Sequence, residues 1–255
     1  GAGHLVQPAG GLGEAGAGIT SFEAVDAAAV PLPAWEAAAA ELRAVFPAVL
    51  LCAAGPLRPE LRRALGGAGF AQATRRLDEV PSAGEAAALW SPLPRNGLEW
   101  AARTRLSATG GGALLASAFL SGSFGLEAPA TGKAPAKGAV TLLSALLAAR
   151  TLYPALGARA DLRVLDGGDE RVLVLLRSTP LDEMLLVASR DSETAVGARI
   201  TLPVLPFGAA DGAAPVAECN ALDVLRPGEQ RRRWRTAGQE LQLAPGGFEL
   251  LRIER

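Results

Sequence analysis

Ala48-Val49-Leu50-Leu51-Cys52-Ala53 is a short, unbroken apolar run. A strand with one wet face alternates apolar and polar residues, so a continuous run of this length suits a strand buried on both faces. What flanks it has helical composition. On the amino-terminal side, Ala34 to Val45 carries Trp35, Glu36, the alanines 37 to 40, Glu41, Leu42 and Arg43 behind Pro31 and Pro33, and prolines near its start suit a helix N-terminus. On the carboxyl side, Pro59 to Leu65 predicts a second helix closed by Gly66 and Gly67, and Gly69-Phe70 leads into another extended piece. A weaker strand candidate, Gly18 to Val25, precedes the first helix. Strand then helix, repeated, argues for parallel βα units.

Further along the pattern loosens. Residues 81–97 hold Pro81, Gly84, Pro92, Pro94 and Gly97 and predict mostly loop; Ala113 to Leu120 is apolar again. Lys133, Pro135 and Lys137 mark a loop before Val140 to Leu152, a helical stretch that should stop at Tyr153-Pro154. After about Gly157 the segments become short and strand-like: Leu162–Leu165, Arg171–Arg177, Glu183–Ser189, Ala198–Leu202 and Phe248–Ile253, separated by Gly, Pro and Asp. That spacing predicts an antiparallel β-sandwich. The expected organisation is a flexible Gly-rich segment over 1–17, an α/β part over 18–157 and an all-β part over 158–255.

Composition limits the function classes. The 255 residues include 25 basic and 26 acidic side chains, for a net charge of -1 and a pI near 6.0. Such a chain has no overall attraction for phosphate backbones or anionic lipid, which disfavours nucleic acid and membrane surfaces as partners. No apolar run approaches the roughly 20 residues of a membrane span, and neither a signal peptide nor an anchor is expected. Cys52 and Cys219 lie far apart in a chain that is 49% hydrophobic, so a reducing, cytoplasmic setting is expected.

The residues from Gly18 to Gln72 resemble, without a gap, the α-1,4-glucan:maltose-1-phosphate maltosyltransferases of the α-amylase superfamily. The resemblance rests on Trp35-Glu36, Glu41, Arg43, Pro47, Arg58-Pro59, Leu65, Gly69-Phe70 and Gln72. Leu120-Ser121, Ser123-Phe124-Gly125, Tyr153-Pro154-Ala155-Leu156, Asp223-Val224-Leu225 and Arg233-Trp234-Arg235 extend it towards the C-terminus. It implies the second half of a β/α barrel followed by the family's C-terminal β-domain. Eight strands close such a barrel, so the resemblance also implies open strand edges and a protein partner or homo-oligomer covering them.

Members of this superfamily work with a nucleophilic carboxylate, an acid/base carboxylate and a third that stabilises the transition state. The family's nucleophile position falls on Val25, with Asp26 the neighbour that a one-residue slip would bring in. Successive strand residues face opposite ways, which weighs against Asp26. Counting back from Arg58-Pro59, the acid/base position falls on Ala54, whose methyl group cannot transfer a proton. The third carboxylate falls near Pro94-Arg95-Asn96, where Asn96 is not acidic and Glu99 lies close by. The resemblance therefore implies a scaffold without the parent chemistry: a glycan-binding or partner-binding module of α-glucan metabolism, with an α-glucan or maltose-type ligand. The alternative is a fragment or subunit of a maltosyltransferase whose catalytic groups come from another segment, and Gly1 in place of Met is its support. A relic fold without glycan function is the third reading. No cofactor and no metal is implied.

Four other features have plainer readings. Gly11-Leu12-Gly13-Glu14-Ala15-Gly16 has the glycine spacing of a pyrophosphate cradle, but no helix pattern follows it. His4, the single histidine, has no second ligand type nearby and reads as a solvated tail residue. Arg231-Arg232-Arg233-Trp234-Arg235 could present Trp234 as a stacking platform to nucleic acid, and reads better as a solvated strand face. Glu170 with Asp182-Glu183 could hold a cation, and reads better as acidic strand ends.

Overall fold

The computed structural model describes residues 6–8, 21–24, 27–47, 49–55, 57–76, 82, 99–105, 123–127, 137–157, 160–203, 217–225 and 231–255. The chain divides into two compact units, residues 1–75 with 92–101 and residues 76–91 with 102–255.

The first unit contains β1 (Val6–Pro8), β2 (Ser21–Ala24), α1 (Leu32–Val45), β3 (Leu50–Ala54), α2 (Pro59–Gly67) and β4 (Gln72–Arg76). In the sheet order β4 is followed by β5 (Glu99–Arg105). β2, β3 and β4 are parallel, with Phe22 opposite Leu51, Ala24 opposite Ala53 and Ala54 opposite Thr74. The expected βα alternation is present. Along the other side of β2 runs β1 in antiparallel pairing, Val6 opposite Ala24, within the Gly-rich segment. β1 thus occupies the edge of β2.

α1 begins at Leu32, two residues earlier than expected, because a proline in the first turn lacks only an N–H that has no intrahelical partner there. α2 runs through Gly66 and Gly67 and then closes with Phe70 N–H on Leu65 O (2.9 Å) and Gly69 N–H on Gly66 O (3.0 Å). This is a Schellman closure, and Gly69 supplies the left-handed residue it needs, with φ 95°. Arg43 of α1 donates to Gly69 O. Leu51 and Ala53 of β3 and Ala73 of β4 pack with Trp35 and Ala39 of α1 and with Leu65 of α2 in one core. These alternate strand residues share a face, so α1 and α2 cover the same side of the sheet. Trp35 anchors that layer: its Nε1 donates to Ala27 O at 3.0 Å, and its ring meets Phe70 edge-on at 5.8 Å.

The second unit holds β6 (Ser123–Glu127), α3 (Lys137–Leu152) and the strands β7 (Asp161–Leu165), β8 (Val172–Ser178), β9 (Glu183–Ser189), β10 (Val196–Ile200), β11 (Glu218–Asp223), β12 (Arg232–Arg235), β13 (Gln239–Leu243) and β14 (Phe248–Glu254). Six of them form an antiparallel sheet in the order β12-β11-β14-β9-β8-β7, and β10 pairs with β13 in a separate antiparallel ribbon. Val172, Val174, Leu176, Leu185, Val187, Leu251 and Ile253 of the sheet share a core with Val196, Ala198, Ile200 and Leu243 of the ribbon. The intervening residues Leu173, Leu175, Leu186 and Leu250 are equally buried. β8 and β9, central in the sheet, are therefore dry on both faces, which is why they read as continuous apolar runs. The 3-10 turn Pro154–Leu156 packs on β8 and β9.

The antiparallel β-region expected after Gly157 is present, with corrected limits. α3 starts at Lys137, not Val140, and the hydroxyls of Thr141 and Ser144 bond back to the carbonyls of Lys137 and Val140, each at 3.0 Å. β11 and β13 were not distinguished by pattern. Their inward residues are small or few, Cys219 and Ala221 in β11 and Leu243 in β13, so alternation is faint.

Candidate functional site at the carboxyl edge of the parallel strands

Because β2, β3 and β4 run the same way, their carboxyl ends at Ala24, Ala54 and Arg76 collect at one edge. In α/β proteins this edge is where ligands are bound and reacting groups are displayed. Ala54 is the last residue of β3 and is half-buried. Leu51 and Ala53 are committed to the helix-covered face, so alternation puts Cys52 and Ala54 on the opposite face. Immediately after it Gly55 turns the chain at φ 104°, donating its N–H to Thr74 O at 3.3 Å. Thr74, the register partner of Ala54, donates its hydroxyl to Ala53 O at 3.5 Å. Two residues back on both strands, Cys52 Sγ lies 3.9 Å from Gln72 Oε1.

Ala54, Gly55 and Thr74 thus bring a methyl group, a backbone turn and a hydroxyl bonded to the strand backbone to this edge. None of the three can act as a general acid or base near neutral pH. Val25, Asp26 and Asn96, the other positions singled out in the sequence, lie outside the described residues, as do His4 and Gly11–Gly16. Glu99 opens β5.

The remaining charged features are structural where they are described. On β12, Trp234 is 2% exposed and belongs to the core between sheet and ribbon, so it offers no stacking surface. Its arginine neighbours are matched by acids: Arg231 with Glu254, Arg232 with Glu249, and Arg233 with Glu218. Asp182 accepts from Ala155 N–H (2.9 Å) and from the Thr179 hydroxyl (2.6 Å), while Glu183 pairs with Arg255 at 2.7 Å. Among the described residues no three His, Cys, Asp or Glu side chains stand together as a metal site. Cys52 and Cys219 are both buried and form no disulfide, and burial pushes the Cys219 thiol up.

Sequence reasoning missed a polar network at one end of the sheet. Asp191 accepts from the N–H groups of Glu193 and Thr194, from the Thr194 hydroxyl and from Arg171, which also holds Asp169 bidentately. The Asp169 carboxyl is held down at about 2 by the Arg171 side chain first and its N–H second. Asp191-Ser192-Glu193-Thr194 has the composition of an Asx turn and could have signalled part of it.

Neither a known family profile nor any curated protein sequence matches the chain. Solved structures do. A noncanonic maltogenic α-amylase from Thermotoga neapolitana superposes with a TM-score of 0.62 at 12% identity, over 93% of this chain and 62% of that one. The fold matches part of an α-amylase. An acarbose-complexed α-amylase from Geobacillus thermoleovorans gives 0.55 at 14% identity, over 89% of this chain and 58% of that one. A γ-cyclodextrin glucanotransferase from alkalophilic Bacillus clarkii gives 0.56 at 13%, over 93% and 41%. This chain therefore spans less than two thirds of each of these three enzymes. Among the described residues no helix is long and apolar enough to cross a membrane.

Proposed function

We propose that this chain is a non-catalytic relative of the α-amylase superfamily, maltosyltransferase-like in its barrel part, which binds α-glucan or a protein partner and carries out no glycosyl transfer. The observation that carries the reading is Ala54 at the carboxyl end of β3, with Gly55 and Thr74 beside it and no carboxylate among these three residues. The parallel strands with both crossover helices on one face suit a segment of a β/α barrel, whose helices all lie outside. An antiparallel β-domain follows, as the likeness to α-amylases over most of the chain requires. Two buried cysteines outside any disulfide suit a reducing, cytoplasmic setting.

The test is phosphate release from maltose-1-phosphate with glycogen as acceptor, run beside calorimetric titration with maltoheptaose. The reading expects no turnover, and no rescue by Ala54→Glu alone, because groups that act as a unit fail when any member is missing. Turnover that disappears in Asp26→Ala would overturn it. A second reading, in which another segment or subunit supplies the carboxylates, is favoured by the match covering 62% of the amylase. Activity that appears only when a second polypeptide is added would establish it.

A further inference from the structure

The turn that follows α3 is held to the β-sheet by more than apolar contact. Ala155 is fully buried, and a buried N–H must find an acceptor. It finds one 27 positions on, at Asp182 Oδ1 (2.9 Å), in the β8–β9 turn. Asp182 is itself held: its Oδ1 accepts the Thr179 hydroxyl at 2.6 Å, and that hydroxyl accepts the N–H groups of Leu181 and Asp182. From β8, Arg177 reaches the same connection. It is 2% exposed, and its Nη2 donates to Gly157 O at 2.6 Å and to Ala160 O at 3.5 Å. On β14, the Arg252 guanidinium lies 5.8 Å from the centre of the Tyr153 ring. Leu146 and Ala149 of α3, and Ala155 and Leu156 of the turn, are buried apolar residues, and the turn packs on both α3 and the strands β8 and β9.

We propose that Asp182 and Arg177 form a buried clasp that fuses α3 to the β-sheet, so that residues 137–255 open as one cooperative body and the mechanical boundary of the chain lies ahead of Lys137, not at Gly157. A buried charge that loses its partners is far more costly than an exposed one, so the clasp opposes any opening that parts turn from sheet. A helix docked by apolar packing alone could fray or lift by itself. Here the groups that anchor the turn are rooted in β8 and in the β8–β9 turn. Burial, with Arg150 second, also draws the Arg177 guanidinium down to about 10, in keeping with its dry surroundings.

Native-state hydrogen exchange on the full chain tests this. The amides of Leu146–Leu156 should exchange at rates reflecting the same opening as Leu173–Leu176 and Leu185–Val187. Asp182→Ala should accelerate all three stretches by a common factor of roughly ten- to a hundredfold, the effect of leaving one buried donor unpaired. If that variant does not fold, Asp182→Asn, which keeps an acceptor for Ala155, should give a smaller acceleration shared in the same way. The inference fails if Leu146–Leu156 exchanges well ahead of β8 and β9 in the unaltered chain. It fails equally if either variant speeds that stretch and leaves β8 and β9 unmoved.

Discussion

Replacing Trp234 separates a core role from a surface role. Its side chain is 2% exposed on β12, opposite Cys219 of β11, in the core shared with Val196, Ile200 and Leu243. Trp234→Ala removes the whole indole from a packed interior, and such truncations cost about 3 to 5 kcal/mol. Trp234→Phe behaves differently, because the indole Nε1 is buried without a hydrogen-bond partner among the described residues. Loss of the smaller amount of apolar volume costs about 2 kcal/mol. Removing a buried, unpaired N–H offsets this by about 1 to 3 kcal/mol. The expected result is a phenylalanine variant within about 1 kcal/mol of the parent, set against the large loss for alanine. Urea denaturation followed by far-ultraviolet circular dichroism measures both. A phenylalanine variant as unstable as the alanine variant would show that the indole N–H has a partner and that the packing argument is wrong.

Trp35 predicts the opposite outcome. Its Nε1 donates to Ala27 O at 3.0 Å in a buried setting. Trp35→Phe strands that carbonyl and should cost about 1 to 3 kcal/mol in addition to lost volume, read as a lowered thermal midpoint. Asp169 and Asp191 predict the acid limb. Both carboxyls are held below their ordinary range, Asp169 at about 2 by Arg171, and Asp191 by the Thr194 hydroxyl first and then the N–H groups of Glu193 and Thr194. A depressed folded pKa gives stability that is complete above the unfolded value near 4 and is lost as pH falls through the folded value. The network should therefore hold above about pH 4 and weaken towards pH 2. Arg171→Ala should return the Asp169 titration, followed by carboxyl carbon resonances, towards the ordinary range; an unmoved titration would refute the assignment.

The sequence by itself determined the elements whose local signals agree with their burial. Pro33 and Pro59 mark helix starts, and the runs 172–176 and 184–188 are apolar because both faces of those strands are dry. The second helix, in contrast, runs through the Gly66-Gly67 expected to close it and closes at Gly69, and Leu50 at the start of the apolar run 50–54 is exposed. The apolar run that the sequence marks ends at Ala53, one residue short of the strand end at Ala54. Tertiary structure alone decided the rest. Alternation along β3 does not say which face the helices cover; only the shared core of Leu51, Ala53, Trp35 and Leu65 does. The run Arg231–Arg235 is equally basic whether it binds an anion or guards a sheet edge, and the matching Glu218, Glu249 and Glu254 come from strands distant in sequence or from the far side of a turn. Tyr153-Pro154 reads as a place where a helix stops and a new domain could begin. That the turn after it is bound to Asp182 and Arg177 is a long-range pairing of buried polar groups, and such pairings leave no period in the sequence to read.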